Sequence, residues 1–388
     1  MRKNTSNACP LKKTSIGGQA LMEGIMMRGP KTTAMAVRNP QGEIVLETFP
    51  TVGKERPAIC RWPIIRGVIG FIDSMTFGYQ CLMRSAEISG LEELEAEMER
   101  EKAEKKAARK AEKAAKKAAK KGEPVAEVPP APVLEESVTE HDDANAPLAP
   151  DPLAEGTVDA LDGTVEMPPE KKKESSAMMN VIMVISMIFA IAIAVGLFIV
   201  LPAWLYDDVL ARFIPWVDGD NRFAQSVFEG VLRVLLLIGY MSLMLLMKDI
   251  RRTFQFHGAE HKTIFCYEHG KELTVENIRM ERRFHPRCGT SFLILMVLVS
   301  IVIGFFIPAN LPTVLRALCK LAVFPIVMGI GYELIKICGR HDNFLTRIIA
   351  APGLWFQRIT VLEPDDAMIE CAIAAMKEVI PEDDSDKL

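Results

Sequence analysis

Apolar positions crowd the second half of the chain and charged ones its middle. NVIMVISMIFAIAIAVGLFIVL, residues 180–201, carries no charge and is long enough to cross a bilayer core of ~30 Å. VFEGVLRVLLLIGYMSLMLLM, 227–247, has only Glu229 and Arg233 near one end. SFLILMVLVSIVIGFFI, 291–307, is short but uncharged, and LAVFPIVMGIGYELIKI, 321–337, can extend upstream to Thr313. The pattern predicts a mainly α membrane protein with about four transmembrane helices. For the second and fourth segments a buried core helix is the alternative, because both carry charge near their ends.

Other stretches follow different periods. RWPIIRGVIGFIDSMTFGYQCLMRSAEI, 61–88, has an apolar centre too short to span, which predicts an interfacial or bundle-packed helix. PGLWFQRI, 352–359, has the aromatic pair and arginine of a helix at headgroup level. KTTAMAVRNP and GEIVLETF predict two short strands joined around Asn39-Pro40-Gln41-Gly42. Before them SIGGQALMEGIMMRGP reads as an irregular Gly-rich loop, with Glu23 set among apolar side chains. It lacks the spacing of a phosphate loop.

The middle is polar. Residues 91–121 are strong helix formers without a sustained a/d seam, which predicts a solvated helix and argues against a coiled coil. Residues 122–176 turn to Pro, Ala, Glu and Asp without periodicity and are expected to be disordered. Four regions result. Residues 1–90 hold the Gly-rich loop, hairpin and interfacial helix, and 91–176 the charged insert. Residues 177–350 form the membrane domain, with a His-rich loop at 248–290, and 351–388 an interfacial and a C-terminal helix.

Charge sets the orientation. The short segment 202–226 has two cationic residues, Arg212 and Arg222, whereas 248–290 has nine Lys and Arg. By the positive-inside rule the His-rich loop and both termini face the cytoplasm of a multi-pass inner-membrane protein. The net charge of −4 over 388 residues gives no reason to expect nucleic acid as a partner; the lipid bilayer is the expected one. Eight cysteines without a CxxC pair argue for free thiols in a reducing compartment. No apolar signal-peptide core follows the basic N-terminus.

Candidate chemistry lies in FHGAEHKTIFCYEHG, 256–270. On a helix His257 and His261 share one face, as two ligands of one ion would, with Glu260 beside them. The order H-x-x-E-H is that of the inverted zinc-protease motif, a weak signal alone. HPRCGTSF, 285–292, adds His285 and Cys288, both suited to a zinc-like divalent ion. Glu333 and His341 lie near the same membrane face, and Glu333 inside an apolar run is a functional candidate by position. A straight second span would carry His257 far from His285, so either the helix bends, with Gly258 or Arg251–Arg252 as candidates, or the third span protrudes as well.

GGQALMEGIMMRG, FHGAEHKTIFCYEHG, LTVENI, HPRCGTSFL, GYELIK and ITVLEP occur here in that order. Together they resemble the bacterial family of uncharacterised membrane proteins of the YqhQ type, described as predicted metal-dependent enzymes. The resemblance covers roughly 14–90 and 177–380, with the insert outside it, and carries neither a substrate nor a reaction. It points to His257, Glu260, His261, His285, Cys288 and Glu23. The expectation is a metal-dependent hydrolase with His257, His261 and either His285 or Cys288 as ligands. Glu260 or Glu23 is the expected base. The alternative is a non-catalytic membrane scaffold or assembly factor with a structural histidine cluster and a protein partner. Transport ranks lowest, since no inverted repeat is visible. The oligomeric state is left open.

Overall fold

The computed structural model describes residues 12–52, 57–90, 164–165, 177–210, 221–308, 310–341 and 343–387. Apart from Gly90 these belong to one compact unit, Met1–Ser89 with Thr157–Leu388. The expected helix at 91–121 lies outside the described residues, as does most of 122–176.

The N-terminal part is a sheet. Strands β1 (Gly17–Leu21), β2 (Gly24–Arg28), β3 (Thr32–Arg38) and β4 (Ile44–Val52) form an antiparallel meander. The expected hairpin is β3–β4, in register Thr32↔Pro50 to Arg38↔Ile44. The expected loop before it is a correction: 17–28 is a second hairpin, turning through Met22 and Glu23. Its glycines misled because Gly17, Gly18 and Gly24 belong to strands. A Cβ on Gly24 would lie 2.5 Å from the Ala36 carbonyl oxygen, so a side chain is excluded by packing and not by a loop. A further correction concerns 122–176, where Thr164–Val165 forms a two-residue strand, β5, antiparallel to β4.

Both faces of the sheet are covered, which explains the weak polar alternation of β2 and β3. Helix α1 (Ile65–Ile88) covers one face, Phe77 and Cys81 packing on Leu21, Met26, Met35 and Val37. The other face, with Ile25, Met27, Ala34 and Ala36, meets Phe256, Ala259, Met368 and Ala372.

The apolar segments become helices. Helix α2 (Ala177–Val195) runs on through π-helical Gly196–Val200, a short turn at Leu201–Trp204 and π-helical Leu205–Leu210. Helix α3 spans Arg222–Met244, with Asn221 capping the Ala224 N–H. Helix α4 is Lys248–Glu268, and α5 is Val275–Arg279. Helices α6 (Gly289–Gly304), α7 (Thr313–Arg340), α8 (Phe344–Thr360) and α9 (Asp366–Val379) follow. Among the described residues three helices are long and apolar enough to cross a membrane: Val184–Leu210, Arg222–Met244 and Thr313–Arg340. The expected third span is α6, a shorter apolar helix of 16 residues.

Of the two expected solutions the chain takes the bend, at 245–247, where α3 ends and Met247 turns to extended backbone, ψ 125°. Neither Gly258 nor Arg251–Arg252 bends the chain. Gly258 instead admits a crossing stretch of chain, since a Cβ there would lie 1.9 Å from the Leu362 carbonyl oxygen. The Leu362 N–H donates to the Phe254 carbonyl at 2.9 Å, so the residues after α8 lie along α4. That crossing puts Thr360, the start of α6 and the middle of α4 together.

Candidate metal centre

Helix α4, held between the sheet and the chain after α8, supplies two imidazoles one turn apart, His257 half-buried and His261 buried. Their ring centroids are 4.4 Å apart. Cys288, the N-cap of α6, brings its sulfur to them from the other side. Ligand atoms of His257, His261 and Cys288 all lie within 4.8 Å of one another. His261 is 1% exposed and Cys288 is 7%.

Backbone carbonyls fix the tautomers. His257 Nδ1 is 3.0 Å from the Thr360 carbonyl oxygen, and His261 Nδ1 is 2.5 Å from that of Arg283. A carbonyl can only accept, so each Nδ1 carries the proton and each Nε2 keeps a lone pair. This outer support is the kind that orients histidine ligands of metals. His257 Nε2 lies 3.0 Å from Cys288 Sγ. His261 Nε2 is buried with no hydrogen-bond partner. An orphaned buried acceptor costs about 1–3 kcal/mol unless something occupies its lone pair. The donor set of two imidazoles and one thiol fits a zinc-like ion.

The electrostatics agree. Burial would raise the Cys288 thiol, but the His261 ring and Thr290 outweigh it and hold it below its ordinary value. Burial likewise holds His261 below its ordinary value, against an upward pull from Cys288. Burial also pushes the Glu260 carboxyl up to about 7, partly offset by His257 and by the Gly18 N–H that donates to it. Gly18 is needed there, because a Cβ would sit 2.9 Å from Glu260 Cγ. The Gly-rich segment therefore does approach the site, as a strand.

The other sequence candidates are placed differently. His285 is 4% exposed, its ring 5.6 Å from that of His261. Its Nδ1 accepts from the Arg287 N–H at 3.3 Å, and its Nε2 faces Glu268 at 3.8 Å. It supports the loop that carries Cys288 and stands outside the three-donor group. Glu23, at φ 49° in the β1–β2 turn, accepts from Arg252 Nε and Nη2, each at 2.5 Å. Glu333 is held by Arg66 at 2.7 and 2.5 Å. His341 is exposed at the end of α7.

Sequence reasoning missed several supports. Glu268 is buried, ion-paired with Arg287, and accepts the Thr14 N–H at 2.9 Å. Burial alone would raise its carboxyl, but His285 and Arg287 outweigh this and pull it down to about 2. Gln357, fully buried, donates to the His285 carbonyl at 2.7 Å and to Ser291 at 2.8 Å, and accepts the His285 N–H at 2.8 Å. The ITVLEP motif was the available signal for Thr360, but a carbonyl acceptor has no side-chain signature.

The family model described as "Protein of unknown function (DUF1385)" matches residues 62–382. A curated relative, "Uncharacterized protein YqhQ" of Bacillus subtilis (strain 168), is 26% identical over 368 residues, covering 94% of this chain and 92% of that protein. No solved structure matches. The family match takes in α1, every helix from α2 to α9 and all three donors of the centre, and so the chain belongs to the DUF1385 family of proteins of unknown function.

Proposed function

We propose that this chain is a multi-pass inner-membrane protein with a cytoplasm-facing metal centre, acting as a metal-dependent hydrolase. His257, His261 and Cys288 hold the ion. One observation carries the reading: both imidazoles are locked with Nδ1 on a carbonyl, and both lone pairs are left beside one sulfur. The chemistry a zinc-like ion supplies when bound is Lewis-acid activation of water and of carbonyl or phosphoryl oxygen. Glu260, set near neutrality by burial, accepts or returns a proton at its carboxylate. Thr360 and Arg283 hold the rings, and Gly18 holds Glu260.

The test is metal analysis of protein purified without chelator. Roughly one ion per chain is expected, lost in His261→Ala. Cobalt loading should give a thiolate charge-transfer band that Cys288→Ser removes. A well-folded preparation without metal, indifferent to added zinc, overturns the proposal. Glu260→Gln should keep the ion and lose the cellular role; a retained role favours the non-catalytic assembly factor instead.

A second reading rests on the His257–Cys288 contact of 3.0 Å. A thiol of lowered pKa at a helix N-terminus beside an imidazole is also the arrangement of a cysteine nucleophile. Metal-free protein whose Cys288 is alkylated rapidly, with His257→Ala slowing that reaction, selects this reading.

A further inference from the structure

Helix α1 and the turn before it share one unusual position. The first turns of α1 leave the sheet and pack among the apolar helices, Val68 and Phe71 meeting Phe292, Met328 and Tyr332. A Cβ on Gly67 would lie 3.1 Å from the Gly329 Cα, and one on Gly329 would lie 2.7 Å from the Ile64 Cα. Backbone therefore touches backbone, as small residues allow between membrane helices. The helix it touches, α7, is one of the three long and apolar enough to span.

Depth follows from α7. Gly331 packs against Phe292 and Met296, so this part of α7 is level with the first turns of α6, where that apolar helix begins. Glu333, held by Arg66, lies at that boundary. Gly329 is one turn further in, about 6 Å at 1.5 Å per residue. Ile64, seated on Gly329, thus stands below the charged pair, and it does so at φ 72°, a costly backbone region for a β-branched residue. The residues leading to it are apolar and uncovered: Ile59 is 55% exposed and Trp62 is 61%. Further along, Ile72, Met75 and Tyr79 continue an exposed stripe on α1. Arg61 has a stem long enough to keep its charge among headgroups.

We propose that the turn 58–64 and the start of α1 are inserted in the cytoplasmic leaflet, with Trp62 and Ile59 in contact with lipid acyl chains. The Arg66–Glu333 pair sits at the boundary between headgroups and hydrocarbon. The occupant of this surface is lipid because the surface is continuous with the contact to α7. Trp beside Arg is the composition expected at a membrane interface.

The experiment uses the full chain in vesicles of phosphatidylethanolamine and phosphatidylglycerol. Trp204, Trp216 and Trp355 are changed to Phe, leaving Trp62 as the reporter. Lipids brominated near the top of the acyl chain should quench most of its emission, which should also be blue-shifted, while aqueous iodide does little. Quenching by iodide with no effect of brominated lipid overturns the proposal and leaves the turn in water. Blue-shifted emission that neither reagent quenches also overturns it, and assigns the surface to a protein partner or a second copy. If the triple variant does not fold, hydroxyl-radical footprinting of the unaltered protein in the same vesicles reads Trp62 directly: protection supports insertion and oxidation refutes it. None of these outcomes depends on the metal centre.

Discussion

Two of the polar clusters among the described residues are built on opposite principles. Near the starts of α3 and α7, Glu229 meets Lys320 and, at 2.9 Å, Arg233, while Asp207 meets Arg316 and, at 2.7 Å, Thr313. Arg233 also donates to the Phe198 carbonyl at 2.8 Å, inside the π-helical turn of α2. Charges in this apolar bundle are answered by charges of the same chain. At the His–Cys cluster the donors are two imidazoles and a thiol drawn together, with the buried His261 Nε2 left without a hydrogen-bond partner. Cations of the same chain pair with the carboxylates of the first cluster, although Glu229 Oε1 has no hydrogen-bond partner; the second brings together a donor set and, among the described residues, no charge of the chain to answer it.

Breaking the first cluster should have the largest effect. Glu229→Ala leaves Lys320 and Arg233 charged in an apolar bundle, and a loss of about 3–5 kcal/mol is expected. Chemical denaturation in detergent reads this, and Glu229→Ala should not alter metal content. An unchanged midpoint would mean that the bundle's charges are solvated and the contrast is false.

Acid should reach the second cluster through Glu268. Its carboxyl is held at about 2 against an ordinary 4.5, so its contribution is present above pH 4.5 and is lost as pH falls through about 2. The expected size is on the order of 3 kcal/mol. Glu268→Gln should flatten the stability profile in that window, and a profile identical to the unaltered protein's would remove Glu268 as the support of the Cys288 loop.

Zinc should separate the clusters directly. At ~100 times its dissociation constant a ligand of the folded state adds about 2.7 kcal/mol. That gain should vanish in His261→Ala and survive Lys320→Met, measured as a shift in melting temperature. The smallest effect belongs to Glu23. Its partner Arg252 is 45% exposed, so Glu23→Ala should cost at most ~1 kcal/mol. A large loss of cellular role with that small cost would return Glu23 to the list of chemical groups.

Much of this was legible along the chain. Helices of membrane length, the β3–β4 hairpin and the pairing of His257 with His261 follow from composition and period, because bilayer thickness, the pleat and the helical turn are local rulers. The choice of Cys288 over His285 as third donor was not. Two residues in one short loop differ only in which way the loop is held, and Gln357 and Glu268, distant in sequence, hold it. The β1–β2 hairpin was hidden for a related reason. Its glycines are demanded by Ala36 and Glu260, which reach them only in the folded chain.

The sequence by itself determined which residue types could do chemistry here and on which apolar framework they ride. Tertiary structure decided their roles. Ring tautomers depend on the carbonyls of Thr360 and Arg283; the first arrives where the chain leaving α8 crosses Gly258, the second with the loop between α5 and α6. A hydrogen bond to a backbone carbonyl leaves no mark on side-chain identity, so the direction of each lone pair is a property of the fold.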